Sequence, residues 1–297
     1  MPHSLHDHRQ GLIMAAGGVF VLSIDSLLVR LAASDGWDII FWRGALMGLS
    51  LSLLCLGGKR LASLRGHMMM SLSSALLLGL SSGLFVLAVM NTKVANVVVI
   101  LSAAPLFAAI FTRMFLHEPV PLRTWLAIVL AMLGLLVVFA GGLSGDGLVG
   151  DLYALAAAAA VGGNLTLLRH HPTVDRVPLI AIGGFISALI ALPMAAPLSL
   201  APKSYAVLAL MGLLQMPLAT VLINSATRYL PSAEVALFYL LEAVLGTLWV
   251  WWWLNEQPPH ATLLGGTLIL LTLVVNAWLG LRHSGSRKVL PYGEYSK

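Results

Sequence analysis

Residues 105–118 read PLFAAIFTRMFLHE, and residues 243–256 read AVLGTLWVWWWLNE. Each stretch is an apolar run that closes on a polar residue and a glutamate, Glu118 or Glu256, and then meets prolines, Pro119 and Pro121 in one case, Pro258 and Pro259 in the other. The same shift of 138 residues carries Ala88 onto Ala226 and Ala95 onto Ala233. The chain is therefore written twice, and the quoted stretches are the fourth and ninth of a series of apolar segments.

Working outward from them, runs of about 20 apolar residues broken by polar, glycine or proline punctuation mark helices long enough to cross a bilayer. Ten such helices are expected. The first five lie near Gly11–Ala33, Asp38–Gly57, Met68–Asn91, Ala95–Leu116 and Pro121–Gly142. The second five lie near Val149–Leu168, Val177–Leu200, Ser204–Thr227, Ser232–Leu254 and Ala261–Leu281. The fold class that follows is an all-α membrane protein of two five-helix repeats, residues 11–142 and 149–282, with tails at 1–10 and 283–297. Because five is odd, the repeats enter the membrane from opposite sides, and such an inverted pair places a solute site near the midplane between halves.

Composition agrees. Of 297 residues 59% are hydrophobic and 10% charged, with mean hydropathy +0.92, where a soluble domain carries about 25% charged residues. The short connections leave no room for a soluble catalytic domain. Cys55 stands alone, so no intrachain disulfide forms. The net charge of +5 forms no basic stripe, which argues against a nucleic-acid partner. The first apolar stretch holds Asp25 and Arg30 and is too long for the core of a cleavable signal.

The basic residues report orientation instead. With the amino terminus inside, the inner segments hold Arg9, Lys59, Arg60, Arg65, Arg123, Arg169, Arg176, Arg228, Arg282, Arg287, Lys288 and Lys297, against Arg30, Lys93 and Lys203 outside. Cytoplasmic loops are enriched in Lys and Arg, so both termini are expected in the cytoplasm of a multi-pass plasma (inner) membrane protein.

An ionisable group at membrane depth costs about 2.5–3.5 kcal/mol on insertion scales, which makes it a functional candidate. Only Asp25 and Glu242 among the acidic residues fall inside spans. Glu242 serves either as a partner for an ammonium group or proton, or as a structural carboxyl met by a neighbouring helix. Asp25 is either a site residue or one half of a structural pair, with Arg30 or Arg43 as the candidate partner; Arg43 alternatively snorkels to the outer interface. Neutral polar candidates at similar depth are Ser82, Ser102, Asn164 and Gln215; serines often only bond a carbonyl, whereas buried amides need several partners. Tyr239 lies one helical turn from Glu242, so ring and carboxylate face the same way. Pro105 and Pro217 interrupt spans and serve as hinges or as packing kinks. Gly44-Ala-Leu-Met-Gly48 and Gly79-Leu-Ser-Ser-Gly83 read as close-packing faces, compatible with a monomer or weak homodimer. Trp249, Trp251, Trp252 and Trp253 read as an interfacial aromatic belt. There is no P-loop, no HExxH pair and no cysteine cluster, and His170-His171 reads as solvated, so neither cofactor nor metal is expected.

Phe41-Trp42-Arg43 near the start of the second helix, together with the paired PLFAAIFTRMFLHEP and EAVLGTLWVWWWLNEQP segments, resembles the EamA-type proteins of the drug/metabolite transporter superfamily, and within it the amino-acid exporters of the YddG kind. The ninth-helix motif of that family commonly has a proline after the glutamate, where this chain has Ala243 after Glu242. The resemblance implies a central cavity between the halves, peripheral fifth and tenth helices, and alternating-access export of small metabolites such as large apolar or aromatic amino acids. The partners implied are a small-molecule solute and the lipid bilayer. A broad drug-efflux carrier is the neighbouring alternative, and a membrane-embedded enzyme or a non-transporting scaffold the alternative of another class.

Overall fold

The structure is a computed structural model that describes residues 5–56, 60, 64, 66–92, 97, 100–101, 103–139, 147–254 and 260–286. Among these residues there are helices and no strand. The first half holds α1 (Leu5–Leu22), α2 (Asp25–Ala32), α3 (Gly36–Leu53), α4 (Met68–Asn91), α5 (Ala104–Phe111) followed by a π turn (Thr112–Leu116), and α6 (Leu122–Phe139). The second half holds α7 (Leu148–His170), α8 (Arg176–Ala191), α9 (Pro202–Leu210), a π segment (Met211–Gln215), α10 (Met216–Ala226), α11 (Ser232–Phe238), α12 (Leu240–Leu254) and α13 (His260–Ser286).

Helices are the form that lets an apolar chain satisfy its own backbone in lipid. Among the described residues four stretches are long and apolar enough to cross a bilayer, Asp7–Val29, Met68–Ala88, Leu148–His170 and Pro202–Ala226, and shorter apolar helices fill the bundle between them. The outer surface is apolar. On α6, for example, Leu126, Val129 and Leu133 are exposed while Ala127, Ile128 and Ala131 are buried, so one stripe faces outward and the other faces α13.

The pairing of helices follows the repeat. α3 packs on its counterpart α8, α6 on its counterpart α13, and α5 on α11. The contact of α4 with α7 has its counterpart in that of α10 with α1, and α5 with α7 in α1 with α11 and α12. Exchanging the halves thus maps the α3–α8 and α6–α13 pairings onto themselves and the α4–α7 pairing onto that of α10 with α1. The α3–α8 seam is closed by glycine: a Cβ on Gly44 would stand 2.6 Å from the Gly184 carbonyl oxygen, and one on Gly184 2.7 Å from that of Gly44. The Gly44–Gly48 and Gly79–Gly83 faces are used inside the chain, against α8.

Several spans differ from the sequence expectation. The first is interrupted at Ser23-Ile24, and its helix begins at Leu5, within the expected tail. The eighth is divided by the π segment, and the ninth is broken at Tyr239. The seventh ends at Ala191, well before Leu200, and α13 runs on to Ser286.

Candidate functional site

The interruption of the first span is built from its own side chains. Ser23 Oγ donates to the Phe20 carbonyl at 2.7 Å, a bond that competes with the helical ladder. Across the seam, Gln215 Nε2 donates to the carbonyls of Val21 at 3.2 Å and Leu22 at 3.5 Å, the last two residues of α1. Gln215 is brought there by the π segment. Pro217 offers no N–H, and its ring crowds the carbonyl four residues back; the wider turn, with Met216 N–H bonded to the Met211 carbonyl, relieves that crowding and turns Gln215 inward.

Asp25 opens α2 just beyond the interruption. Its Oδ2 accepts from Arg43 Nη1 at 3.0 Å in a buried ion pair, and Arg43 Nη2 donates to Ser82 Oγ at 3.0 Å. Arg43 is 5% exposed, so it does not snorkel: a buried carboxylate and a hydroxyl hold its guanidinium inside. Asp25 Oδ1 and Gln215 Oε1 are buried without a hydrogen-bond partner among the described residues. An unmet buried acceptor costs about 1–3 kcal/mol, so the pair forms a standing demand for a donor.

The facing wall comes from the ninth span. At Tyr239 the ladder tightens to three-residue bonds, Tyr239 N to the Ala236 carbonyl at 3.1 Å and Glu242 N to the Tyr239 carbonyl at 3.0 Å, and α12 restarts with Glu242 in its first turn. Tyr239 and Glu242 are half-buried. Glu242 lies within electrostatic reach of Asp25 and Arg43, and Tyr239 within reach of Glu242. Two carboxyl groups and one guanidinium therefore share one region between the halves.

Of the residues singled out from sequence, Asp25 and Ser82 are thus joined through Arg43, Gln215 stands at the end of α1 just before Asp25, and Glu242, with Tyr239 beside it, lies within electrostatic reach of Asp25 and Arg43. Asn164 is not among them. It is buried in a separate network, accepting from Ser74 Oγ at 2.7 Å and donating to Asn224 Oδ1 at 2.8 Å, which ties α4, α7 and α10 together. Ser102 lies outside the described residues. Pro105 and Pro217 each stand second in a helix, α5 and α10, and the helix of Pro217 directly follows the π segment. Trp249 corrects the belt expectation: its indole turns inward, Nε1 donating to Ser23 Oγ at 2.9 Å, while Trp252 and Trp253 remain exposed. Among the described residues no group of His, Cys, Asp or Glu is arranged to hold a metal.

Sequence reasoning passed over Asn224, which its depth alone marks, and the pair Arg123–Glu234. Arg123 Nη2 meets Glu234 Oε1 at 2.8 Å, and Glu234 is 1% exposed. Both stand at helix starts, where a charge reads as part of a loop.

Known proteins supply the context for this arrangement. The EamA-like transporter family matches residues 9–140 and again residues 148–278. A pseudopaline exporter of Pseudomonas aeruginosa, found in two strains, is 23% identical over 278 residues, covering 90% of this chain and 95% of its own. A solved crystal structure superposes with a TM-score of 0.79 at 15% identity, covering 92% of this chain and 98% of the other, a likeness of fold.

Proposed function

The chain belongs to the EamA-like transporter family, and from that premise we propose that it exports small zwitterionic metabolites, amino acids with large apolar or aromatic side chains among them, by alternating access. In this reading ten spans form two inverted halves, residues 11–142 and 149–282, set in the inner membrane with both termini in the cytoplasm. The pairing of helices under exchange of the halves supports the inversion.

One observation carries the solute assignment. Asp25 Oδ1 and Gln215 Oε1 are buried acceptors without a hydrogen-bond donor among the described residues, and Glu242 stands within electrostatic reach of Asp25 and Arg43. An ammonium group supplies N–H donors and a positive charge at once. The Arg43 guanidinium, held by one face of Asp25 and by Ser82, is the cation for a solute carboxylate. Tyr239, next to Glu242, offers its ring to an apolar side chain. In the absence of solute a proton satisfies Glu242, so that solute and proton occupy it in turn. The relative named as a pseudopaline exporter supports export of a small metabolite.

The test is flux in proteoliposomes that contain only this protein, with a panel of radiolabelled amino acids and a lipophilic cation for contrast. Uptake of large apolar amino acids above the cation is expected, and Tyr239→Ala is expected to lose the preference for large side chains while retaining small ones. Uptake of the cation alone supports a drug-efflux carrier; no flux of any solute contradicts the proposal.

A further inference from the structure

A second polar cluster crosses between the halves, away from the solute site. Arg123, in the first turn of α6, pairs with Glu234, in the first turn of α11, and so joins the first half to the second. Beside it Thr112 and Ser232 share a hydrogen bond of 2.6 Å, and Thr166 donates to Ser232 Oγ at 3.3 Å. Thr112 belongs to the first half, Ser232 and Thr166 to the second. This plane is closed: Ser232 is 0% exposed, Leu230 0%, Ala233 2% and Thr112 4%, whereas Tyr239 and Glu242, about two to three turns further along, are half-buried. The site is covered on the face where α1, α6 and α11 begin.

The repeat supplies the comparison with the opposite face. Under the shift of 138 residues Arg123 corresponds to Ala261, Glu234 to Asn96, Thr112 to Val250, Ser232 to Val94 and Thr166 to Leu28. The ion pair has no charged counterpart, and all three hydroxyls are replaced by apolar side chains. Two faces built from one repeat therefore differ in what closes them.

We propose that Arg123–Glu234, with the hydroxyls of Thr112, Thr166 and Ser232, is a latch that shuts this face, and that its absence from the opposite face makes the state closed here the resting state. In an alternating-access cycle the two closed states are related by exchange of the halves, so a contact available to one alone sets the balance between them. The pair is built to open. Glu234 Oε2 and Arg123 Nη1 are buried with no hydrogen-bond partner among the described residues, so the latch is less than fully satisfied when closed. Arg169, within electrostatic reach of Glu234, gives the carboxylate a second cation.

A labelling experiment tests this without any solute and so stands or falls apart from the transport proposal. In a Cys55→Ala background, Ala233→Cys is the single thiol, and a membrane-impermeant maleimide is added from either side of the membrane. With the latch intact, labelling is slow from both sides. Glu234→Gln and Arg123→Gln are expected to raise the rate about tenfold from the face carrying the amino terminus only, the population change that roughly 1.4 kcal/mol of lost coupling produces. Arg123→Lys and the exchange Arg123→Glu with Glu234→Arg are expected to label like the parent. Unchanged labelling in both glutamine variants overturns the proposal. So does an equal rise from both faces, or an exchanged pair or lysine variant that labels as fast as the glutamine variants.

Discussion

Arg43 is the residue on which the site depends, because it is the cation that makes a buried Asp25 tolerable. Removing it by Arg43→Ala leaves a carboxylate among apolar side chains, and breaking one partner of a buried pair costs about 3–5 kcal/mol. A clear fall in the thermal midpoint of the purified protein is expected, and Arg43→Ala with Asp25→Asn is expected to recover much of it; a midpoint unmoved by Arg43→Ala would show that the pair carries no stability. The pairing itself is legible in sequence. Few ionisable groups lie within apolar spans, so Asp25 has few partners to choose from. The role of Gln215 is not legible, since the carbonyls of Val21 and Leu22 become free acceptors only where α1 stops. Nor is the engagement of Asn164, whose partners Ser74 and Asn224 come from two other helices.

At the scale of elements the decisive features are the interrupted helices. Sequence marks one of them. Pro217 predicts a disturbed eighth span, and the π segment before it is the physical response to a missing N–H and a crowded carbonyl. The interruptions at Ser23-Ile24 and at Tyr239 have no proline or glycine to announce them; the first combines a local Ser23 bond with the Gln215 amide from across the bundle, and the second is a local shortening of the ladder. A window of apolar residues therefore reads as one continuous helix in both places. If the turn before Pro217 is where the second half bends during transport, Pro217→Ala should restore a regular ladder, slow flux several-fold and leave folded yield nearly unchanged. Flux equal to the parent would make Pro217 a packing kink.

For the whole molecule, the repeat quoted at the outset predicts the architecture best. A shift of 138 residues relates sequences in the two halves, and the helix pairings respect the same exchange. What a repeat cannot announce is where the halves differ, and the proposed solute site rests on those differences: Asp25, Arg43 and Gln215 on one wall, Glu242 and Tyr239 on the other. Orientation rests on the bias of Lys and Arg between loops. Reporters fused near Lys59, Arg176 and Arg287 are expected to read cytoplasmic and those near Asp35, Asp146 and Lys203 external; a consistent inversion would reverse the export direction of the two faces. The central claim is that Glu242 holds solute and proton by turns. Its most direct test is the pH dependence of amino-acid flux in proteoliposomes containing wild-type protein or Glu242→Gln, which keeps the shape and removes the charge. The account predicts flux that varies with pH in the wild type and a flattened profile with weakened solute binding in the variant; identical profiles and affinities in the two folded proteins would contradict it.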